Sequence, residues 1–342
     1  MEIHNQSSRL RSVVRQGWFP LLAACTVAAA GLSGCSGPAT ERIAVIPQTE
    51  GTMIWESVHV GAEEAAQRHN AYVYWNAPTR EDDVEAQIAV VDRVVGQGYN
   101  GLVLAPDQAL ALMTPVRHAV AEGIPTVVIG SPLAMPPGRD LSYILNDNER
   151  GGRLAAQRIG ELLHGTGNVA ILGIDPDLTG IMTRARVFEE DLSENYPEIH
   201  VVDRRMGSFN IPHEQQIAQD TLRKHPDLNA IVALMAPTVE GTLSALHTVP
   251  QSERIKVIGF DIENWPPFDR NPSLDCLIQE DTRSMGEEAV ELILARQAGR
   301  FAPAQTMIEP HVITRENMNS AEIQRMLSQD WTLGRNLWSP IQ

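Results

Sequence analysis

The sequence has few cysteines, few lysines and few aromatic side chains. Of its 342 residues, three are cysteines and 5% are aromatic. Lys224 and Lys256 are the only lysines among the 27 basic residues, so the rest are arginines. Acidic residues number 43, which gives a formal net charge of −16 at pH 7. Because a surface this acidic repels phosphate backbones, we expect no nucleic acid partner.

The chain also lacks the short motifs that accompany common catalytic sites. It contains no GxSxG nucleophile elbow, no HExxH, no phosphate-binding P-loop, and no GxGxxG between a strand and a helix. Its ten histidines are scattered without the spacing of metal ligands. These absences predict a protein that is not an enzyme and that uses neither a metal nor another cofactor.

The amino-terminal segment has the composition of a secretory signal. Arg9, Arg11 and Arg15 precede the uncharged apolar stretch GWFPLLAACTVAAAG, and small residues follow it up to Cys35. We interpret residues 1–34 as a signal peptide. The rest of the chain is therefore expected outside the cytoplasm, in the periplasm or elsewhere in the cell envelope.

The residues before Cys35 read Leu-Ser-Gly, which resembles the lipobox of bacterial lipoproteins. This resemblance implies a lipid on Cys35 that anchors the chain to a membrane, with residues 35–41 as a flexible tether. Two alternatives stay open: LLAAC, ending at Cys25, fits the same pattern after a shorter apolar core, and the segment could be an uncleaved anchor. If Cys25 is removed and Cys35 is lipidated, Cys276 has no disulfide partner and is predicted to be a core residue.

From residue 42 onward, apolar runs alternate with helical patterns. The runs are IAVIP, AYVYW, GLVLAP and IPTVVIG in the first half, then NVAILG, IHVVD, NAIVAL, KVIGF and SLDCLI. This alternation predicts an α/β protein with helices on both faces of parallel sheets. The two halves are of similar size, which predicts two doubly wound lobes with a boundary near residues 146–148.

In such sheets, ligands bind beyond the carboxyl ends of the strands. Asp261 stands at one of these ends, and a half-buried acid there needs a partner. We expect that partner to be a ligand hydroxyl rather than a protein group. The candidate segments that follow apolar runs are residues 48–52, 106–107, 130–131, 175–184, 209, 235–236, 261 and 279.

Residues 42 to about 315 resemble the type I periplasmic binding proteins, the sugar-binding group typified by ribose-binding protein. The resemblance is carried, in order, by RIAVIPQTEGTMIWESVHVGAEEAA, DRVVGQGYNGLVLAP, AVAEGIPTVVIG, NDNERGG, HPDLNAIVA, KVIGFD and LIQED. It implies two lobes joined by a three-segment hinge, with crossings near residues 146–147, 279–280 and 310–314.

The resemblance also implies how the chain divides. Asn319 is predicted to cap a short helix in the C-terminal extension. Trp331 and Trp338 in its tail are expected to pack against the first lobe, with contact to a partner protein as the alternative. The implied parts are 42–146 plus 280–312 for the first lobe, 147–279 plus 313–318 for the second, and 319–342 for the extension.

A sugar site between the lobes is the next implication of the resemblance. Trp55 and Phe209 match aromatic residues that stack on the sugar, and Arg184 matches an arginine that donates to it. Asp261 and Gln279 match an acid and an amide that bind its hydroxyls. Further lining residues are Thr52, Ile54, Ser131 and Met235.

Two positions depart from the family's pattern. Gly130 and Ser131 stand where the family has a polar pair, and Met235 and Ala236 stand where it has Asn-Asp. We therefore expect a roomier and more apolar cleft, partly filled by Trp265.

Each matched residue also has a structural interpretation. Asp261 fits a helix N-cap or a hinge anchor, and Gln279 a structural position at a crossing. Arg184 fits an ion pair with Glu189 or Asp175. Trp55 could be a core residue, and Phe209 could be either a core or a surface residue.

The resemblance implies a monomeric solute-binding protein that captures a small polyol-like ligand, a sugar, and delivers it to an ABC permease. The alternative is a binding protein that reports its ligand to a membrane receptor or a histidine kinase. A LacI-type repressor would need a helix-turn-helix at the start of the chain, where the sequence has a signal instead.

Overall fold

The structure is a computed structural model that describes residues 40–80, 83–250, 254–262 and 268–328. Several predicted features lie outside these residues: the signal peptide, the lipidation site at Cys35, most of the tether, Trp265, Trp331 and Trp338. Within the described part, no helix combines the length and the apolar character needed to span a membrane.

The first part of the chain alternates strands and helices as the sequence predicts. Pro115 lies in the first turn of a helix, where its missing N–H costs no hydrogen bond. The last strand of this part was not predicted. In chain order the elements are β1 (Arg42–Ile46), α1 (Met53–Arg68), β2 (Tyr72–Trp75), α2 (Val84–Gly96), β3 (Gly101–Leu104), α3 (Met113–Ala121), β4 (Thr126–Gly130) and β5 (Leu141–Asn146).

The second part continues the alternation and ends with short elements. A single turn of 3₁₀ helix lies at Phe268–Arg270. The elements are α4 (Asn148–Leu162), β6 (Thr166–Ile174), α5 (Thr179–Asn195), β7 (Glu198–Met206), α6 (Ile211–Lys224), β8 (Ala230–Ala233), α7 (Ala236–Leu246), β9 (Lys256–Phe260), β10 (Leu274–Gln279), α8 (Thr282–Gln297), β11 (Gln305–Ile308), β12 (His311–Thr314) and α9 (Ala321–Leu327).

The described strands form two six-stranded sheets. The first has the order β11-β5-β4-β3-β1-β2, and all its neighbouring strands are parallel. The second has the order β12-β10-β9-β8-β6-β7 and is parallel except for β12, which runs antiparallel to β10. Helices α1 and α8 cover one face of the first sheet and α2 and α3 the other. Helices α6 and α7 cover one face of the second sheet, and α4 and α5 cover the other. The predicted fold class, α/β with two doubly wound lobes, is therefore confirmed.

The chain crosses between the sheets three times. The first crossing joins β5 to α4, the second joins β10 to α8, and the third joins β11 to β12. His311 and Val312 already pair with Gln279 and Ile278 of β10. The predicted lobe boundary at residue 312 is therefore two residues too late, because the four-residue strand β12 carries no long apolar run that would reveal it.

Two glycines hold α8 against α1 after the second crossing. A Cβ on Gly61 would stand 2.0 Å from the Arg283 backbone oxygen, and one on Gly286 would stand 2.0 Å from the Val58 backbone oxygen. The two helices thus pack backbone against backbone, where no side chain fits. This close contact fixes α8 on the first sheet although it follows the last parallel strand of the second.

Ser320 caps α9, where the sequence predicts Asn319. The Ser320 hydroxyl accepts a hydrogen bond of 3.3 Å from the Ile323 backbone N–H, so the helix begins one residue later than predicted. Ile323 and Met326 pack in the same apolar cluster as α6 and α7 of the second lobe.

The same helix also contacts the first lobe. Arg325 forms ion pairs of 3.6 Å with Glu64 on α1 and 3.3 Å with Glu287 on α8. The described part of the extension, residues 319–328, therefore contacts both lobes.

Candidate functional site

Arg184 extends from α5 and is buried, with 6% of its surface exposed. Its Nε donates to Asn148 Oδ1 at 2.7 Å, and its Nη1 donates to the Leu234 backbone oxygen at 3.1 Å. Nη1 also donates to Asp261 Oδ2 at 2.8 Å, and Nη2 donates to Glu280 Oε1. A guanidinium carries five N–H groups, so four of those of Arg184 have partners among the described residues and one does not. The alternative ion pairs with Glu189 or Asp175 are wrong.

These contacts gather distant parts of the chain around one guanidinium. Asn148 opens α4 directly after the first crossing, and Glu280 begins the second crossing. Leu234 and Asp261 directly follow β8 and β9, at the carboxyl edge of the second sheet. Charge-assisted hydrogen bonds at this point therefore connect two crossing segments to the sheet edge where ligands bind in such folds. We call Asn148, Arg184, Asp261 and Glu280 the hinge cluster.

Asp261 adopts the left-handed backbone conformation, with φ of 58°. Aspartate tolerates this region better than most residues with a Cβ, because its short side chain bonds locally. Its Oδ2 accepts from Arg184, and its Oδ1 accepts from the Glu280 backbone N–H at 3.2 Å. The buried acid thus has protein partners, and the expectation that only a ligand would satisfy it is wrong. Its contacts fit the hinge-anchor alternative rather than a helix N-cap.

Glu280 was not among the predicted site residues. Burial first, and the nearby Asp261 carboxylate second, raise the pKa of Glu280 to about 8, although Arg184 acts to lower it. Burial lowers the pKa of Arg184, and the carboxylates of Asp261 and Glu280 more than offset this, so its net shift is upward. Glu280 directly follows Gln279 at the end of a strand, and this position could have predicted it as a site residue.

Two amides at the crossings have buried oxygens with no hydrogen-bond partner among the described residues. Gln279, the last residue of β10, is 4% exposed, and its Oε1 is one of these oxygens. Its Nε2 reaches the Glu280 backbone oxygen at 3.4 Å, which places the unpaired Oε1 beside the hinge cluster. Asn146 Oδ1, at the end of β5, is the other. A buried acceptor without a donor costs about 1–3 kcal/mol, so both favour a donor from outside the protein.

The first-lobe candidates lie around the start of α1 and the end of β4. Trp55 is 9% exposed and packs in the apolar cluster between α1, α8 and the first sheet. Its Cη2 lies 3.8 Å from where a Cβ on Gly130 would stand, which is an ordinary contact distance, so the φ of 74° rather than a lack of space favours glycine there. Thr52 caps α1 by accepting from the Trp55 backbone N–H at 3.5 Å, and Ile54 is half-buried against the same cluster.

Ser131 and Phe209 are exposed, and Met235 is buried. Ser131 follows β4, and its backbone N–H donates to the Ile129 oxygen at 2.9 Å. Phe209 is 61% exposed in the loop after β7, next to Ser208, whose backbone N–H donates to the buried Glu214 carboxylate. Met235 directly precedes α7 and packs in the cluster between α4, α5 and the second sheet.

The structure thus brings two of the predicted site residues into direct contact. Arg184 and Asp261 share a hydrogen bond, and Gln279 touches the backbone of Glu280 in the same hinge cluster. Asn148 and Glu280 complete the cluster and were missed. The other predicted residues have no described hydrogen bond to it and remain predictions: Thr52, Ile54, Trp55, Ser131, Phe209 and Met235.

The chemistry of the hinge cluster is that of a binding site rich in acceptors. Two carboxylates, a nearly saturated guanidinium and the adjoining Gln279 Oε1, which has no partner among the described residues, suit a ligand that presents several donors. Within the described residues, no group of three or more His, Cys, Asp or Glu is arranged to hold a metal ion.

The chain forms two doubly wound α/β lobes joined by three crossings, and polar groups gather where two of these crossings leave the sheets. This arrangement is that of a hinged, two-lobed binding protein. The chain belongs to the periplasmic binding protein domain family, whose model matches residues 43–300.

Relatives in this family bind several sugars according to their names. The chain is 24% identical to the D-ribose/D-allose-binding protein of Pseudomonas aeruginosa, over 66% of this chain and 72% of that protein. It is 24% identical to the D-apiose import binding protein of Paraburkholderia graminis, over 71% of this chain and 78% of that protein.

Solved structures share the fold. An ABC transporter solute binding protein from Agrobacterium vitis, bound with α-D-tagatopyranose, matches with a TM-score of 0.73 and 23% identity over 84% of this chain and 99% of that chain. A carbohydrate transporter solute binding protein from Agrobacterium radiobacter, in complex with D-arabinose, matches with the same TM-score of 0.73 and 23% identity, over 85% and 100%.

Proposed function

We propose that this chain is an extracytoplasmic solute-binding protein that captures a small polyol-like ligand, a sugar, between its lobes and delivers it to an ABC permease. The hinge cluster carries this proposal, because its acceptors lie at the crossings and at the carboxyl edge of the second sheet. The relatives named for D-ribose, D-allose and D-apiose support the class of ligand. The same observations favour binding over catalysis.

In this proposal the hinge cluster binds one edge of the sugar. The unpaired Gln279 Oε1 and the carboxylates accept from its hydroxyls, and the free N–H of Arg184 donates to one of its oxygens. Hydrogen bonds to charged groups contribute roughly 1.5–3 kcal/mol each. A few of them in a closed cleft account for micromolar affinity.

The faces of the sugar ring would contact aromatic side chains. We propose that Trp55 and Phe209 stack on the ring, each adding about 0.5–1.5 kcal/mol beyond the buried area. Thr52, Ile54, Ser131 and Met235 would line the remaining cleft. Because Phe209 is exposed, its contact with a ligand depends on closure of the lobes, which only a ligand that binds both lobes can drive.

The finer parts of the proposal concern location and assembly. The lipid on Cys35 would hold the binding protein at the membrane that contains the permease, and the protein would act as a monomer. The first lobe would comprise residues 42–146 and 280–310, and the second residues 147–279 and 311–318. Mass spectrometry of the mature chain tests the anchor, since a diacylated amino-terminal peptide beginning at Cys35 is expected.

Thermal unfolding in the presence of candidate ligands tests the function. A ligand that binds the folded state alone raises the melting temperature, and at 100 times its Kd it adds about 2.7 kcal/mol. The panel comprises D-ribose, D-allose, D-arabinose, D-tagatose, inositols and, as a contrasting class, amino acids. We expect at least one sugar or polyol to stabilise the protein. Stabilisation by amino acids alone would refute the sugar assignment.

A further inference from the structure

The hinge cluster contains two carboxylates and a single cation. Asp261 and Glu280 both bond to Arg184, and the remaining member, Asn148, is neutral. The side chains of Asp261 and Glu280 are 10% and 15% exposed, so water does little to offset their charges. Ionisation of both acids therefore leaves an uncompensated negative charge in a nearly buried site, which is costly.

The other groups around Glu280 do not supply the missing positive charge. Arg184 faces it from α5 and Asp261 from the end of β9. On its own segment, Asp281 accepts from the Ser284 hydroxyl and caps α8, and it adds a further acid. His311 on β12 lies 3.8 Å from the Asp281 carboxylate rather than at Glu280. When both acids are ionised, a cation that balances the cluster must therefore come from outside the described residues, and a proton on Glu280 takes its place when none is bound.

The hydrogen-bonding inventory points to the same ligand chemistry. Arg184 has committed four of its five N–H groups. Gln279 Oε1 is a buried acceptor that lies beside the cluster and has no partner within the described part of the chain. With Glu280 ionised, the cluster therefore offers several acceptors and about one donor. An ammonium group supplies both the donors and the positive charge that the cluster lacks, because it has three N–H groups and is a cation. A hydroxyl supplies a donor but no charge.

We infer that the ligand is a polyol that carries a protonated amine, an amino sugar or an iminosugar, whose ammonium group binds the Glu280 and Asp261 carboxylates. This inference rests on the proposed function and narrows its ligand class. The inference depends on the second acid beside Arg184. Burial first, and the Asp261 carboxylate second, raise the pKa of Glu280, so the acid holds a proton until a further cation shares the site.

Titration calorimetry with matched pairs of ligands tests the inference. The pairs are D-glucosamine with D-glucose, and 1,4-dideoxy-1,4-imino-D-arabinitol with D-arabinose. N-acetyl-D-glucosamine serves as the amide control that lacks the charge. The amine of at least one pair is expected to bind about tenfold or more tightly than its neutral counterpart, because charged hydrogen bonds are stronger than neutral ones.

Proton release gives a second readout on the unmodified protein. The Glu280 carboxyl, with a pKa of about 8, is largely protonated at pH 7. An ammonium ligand that pairs with the carboxylate displaces that proton to the buffer. Titrations in buffers of different ionisation enthalpy should therefore show a net release of protons with the amine and none with its neutral partner.

The variant Glu280→Gln separates this account from a general preference for amines. It keeps the side chain's size and an acceptor oxygen, and it should remove both the tenfold preference and the proton release. Glu122→Gln is the matched control, because Glu122 lies on the surface after α3 and its side chain is 61% exposed. That variant should behave like the unmodified protein.

The outcomes distinguish the inference from the proposed function. Neutral sugars that bind as tightly as their amines would overturn the inference and leave the proposed function standing. A preference for amines that survives Glu280→Gln would also overturn it. Failure of both ligand classes, across these pairs and the wider panel, would overturn the proposed function together with the inference.

Discussion

Arg184 and Asp261 lie 77 residues apart in the sequence and share a hydrogen bond of 2.8 Å. The bond joins α5 to the end of β9, and Glu280 extends it into the second crossing through contacts with both residues. Asn148 links Arg184 to the first crossing in the same way. The residues expected to recognise a ligand are thus bonded to the segments that must bend when the lobes close. A ligand that competes for these hydrogen bonds acts directly on the hinge.

The Arg184–Asp261 pair is expected to contribute to stability as well as to binding. Asp261→Asn removes the charge while keeping a residue that tolerates the positive φ of 58°. Breaking one side of a buried ion pair costs about 3 kcal/mol or more.

Asp275→Asn is the control, because Asp275 pairs with the more exposed Arg158 at 2.6 Å. It should cost about 1 kcal/mol or less. Urea unfolding compares the two, and equal losses would contradict the assignment of Asp261 as a hinge anchor.

Glu280 should make the folding stability depend on pH. Its pKa is raised from 4.5 to about 8 by folding, so the folded state holds more protons than the unfolded state between these values. The free energy of unfolding should therefore decrease as pH rises through this window, by at most about 1.4 kcal/mol per pH unit from this group. Glu280→Gln should flatten the slope, whereas Glu122→Gln should keep it. Urea titrations from pH 5 to pH 8.5 would disprove the assignment if all three proteins shared one slope.

Phe209 should affect ligand binding without affecting stability. Its side chain is 61% exposed, so Phe209→Ala should change the free energy of unfolding by no more than about 0.5 kcal/mol. If the ring stacks on the ligand after closure, affinity should fall by about 0.5–1.5 kcal/mol. Phe301→Ala offers the matched control, because Phe301 is 89% exposed and lies between α8 and β11. Equal affinities for both variants in calorimetry would remove Phe209 from the site.

The backbone contact between α1 and α8 should be intolerant of even a methyl group. Gly286→Ala places a Cβ 2.0 Å from the Val58 oxygen, so the helices must separate, at a cost of about 1–3 kcal/mol. Gly96→Ala places its Cβ in open space at the end of α2 and should raise stability by up to about 1 kcal/mol. Thermal unfolding of the two variants should show shifts of opposite sign. A neutral Gly286→Ala would mean that α8 is not fixed on the first sheet as described.

Much of the fold was predictable, because most buried strands are continuous apolar runs followed by a helix. Sequence patterns missed β5, β11 and β12, and the last two of these strands have only four residues each. The third crossing falls at residues 309–310, at the start of the predicted range of 310–314. The lobe boundary was placed at residue 312 because a strand of four residues leaves little periodicity to read. The N-cap of α9 differed by one residue because Asn319 and Ser320 are both good caps and only the backbone conformation selects between them.

The candidate site was predictable only in part. The strand-end rule found Asp261 and Gln279, since their position after an apolar run is visible in the sequence. It could not show that Arg184 bonds to Asp261, because that contact depends on how α5 lies against the sheet. Asn148 and Glu280 were missed because each looks like an ordinary polar residue at a crossing, and only the shared guanidinium shows their role.

Calorimetric titration of the unmodified protein and of Asp261→Asn, with the polyol that most raises the melting temperature, tests the central claim most directly. We predict one-to-one binding with a Kd in the micromolar range or lower for the unmodified protein. The variant should bind more weakly by about 2–4 kcal/mol, because ligand donors and Arg184 both lose a charged partner. Equal affinity in the two proteins would contradict the claim that this chain binds a sugar at the hinge cluster.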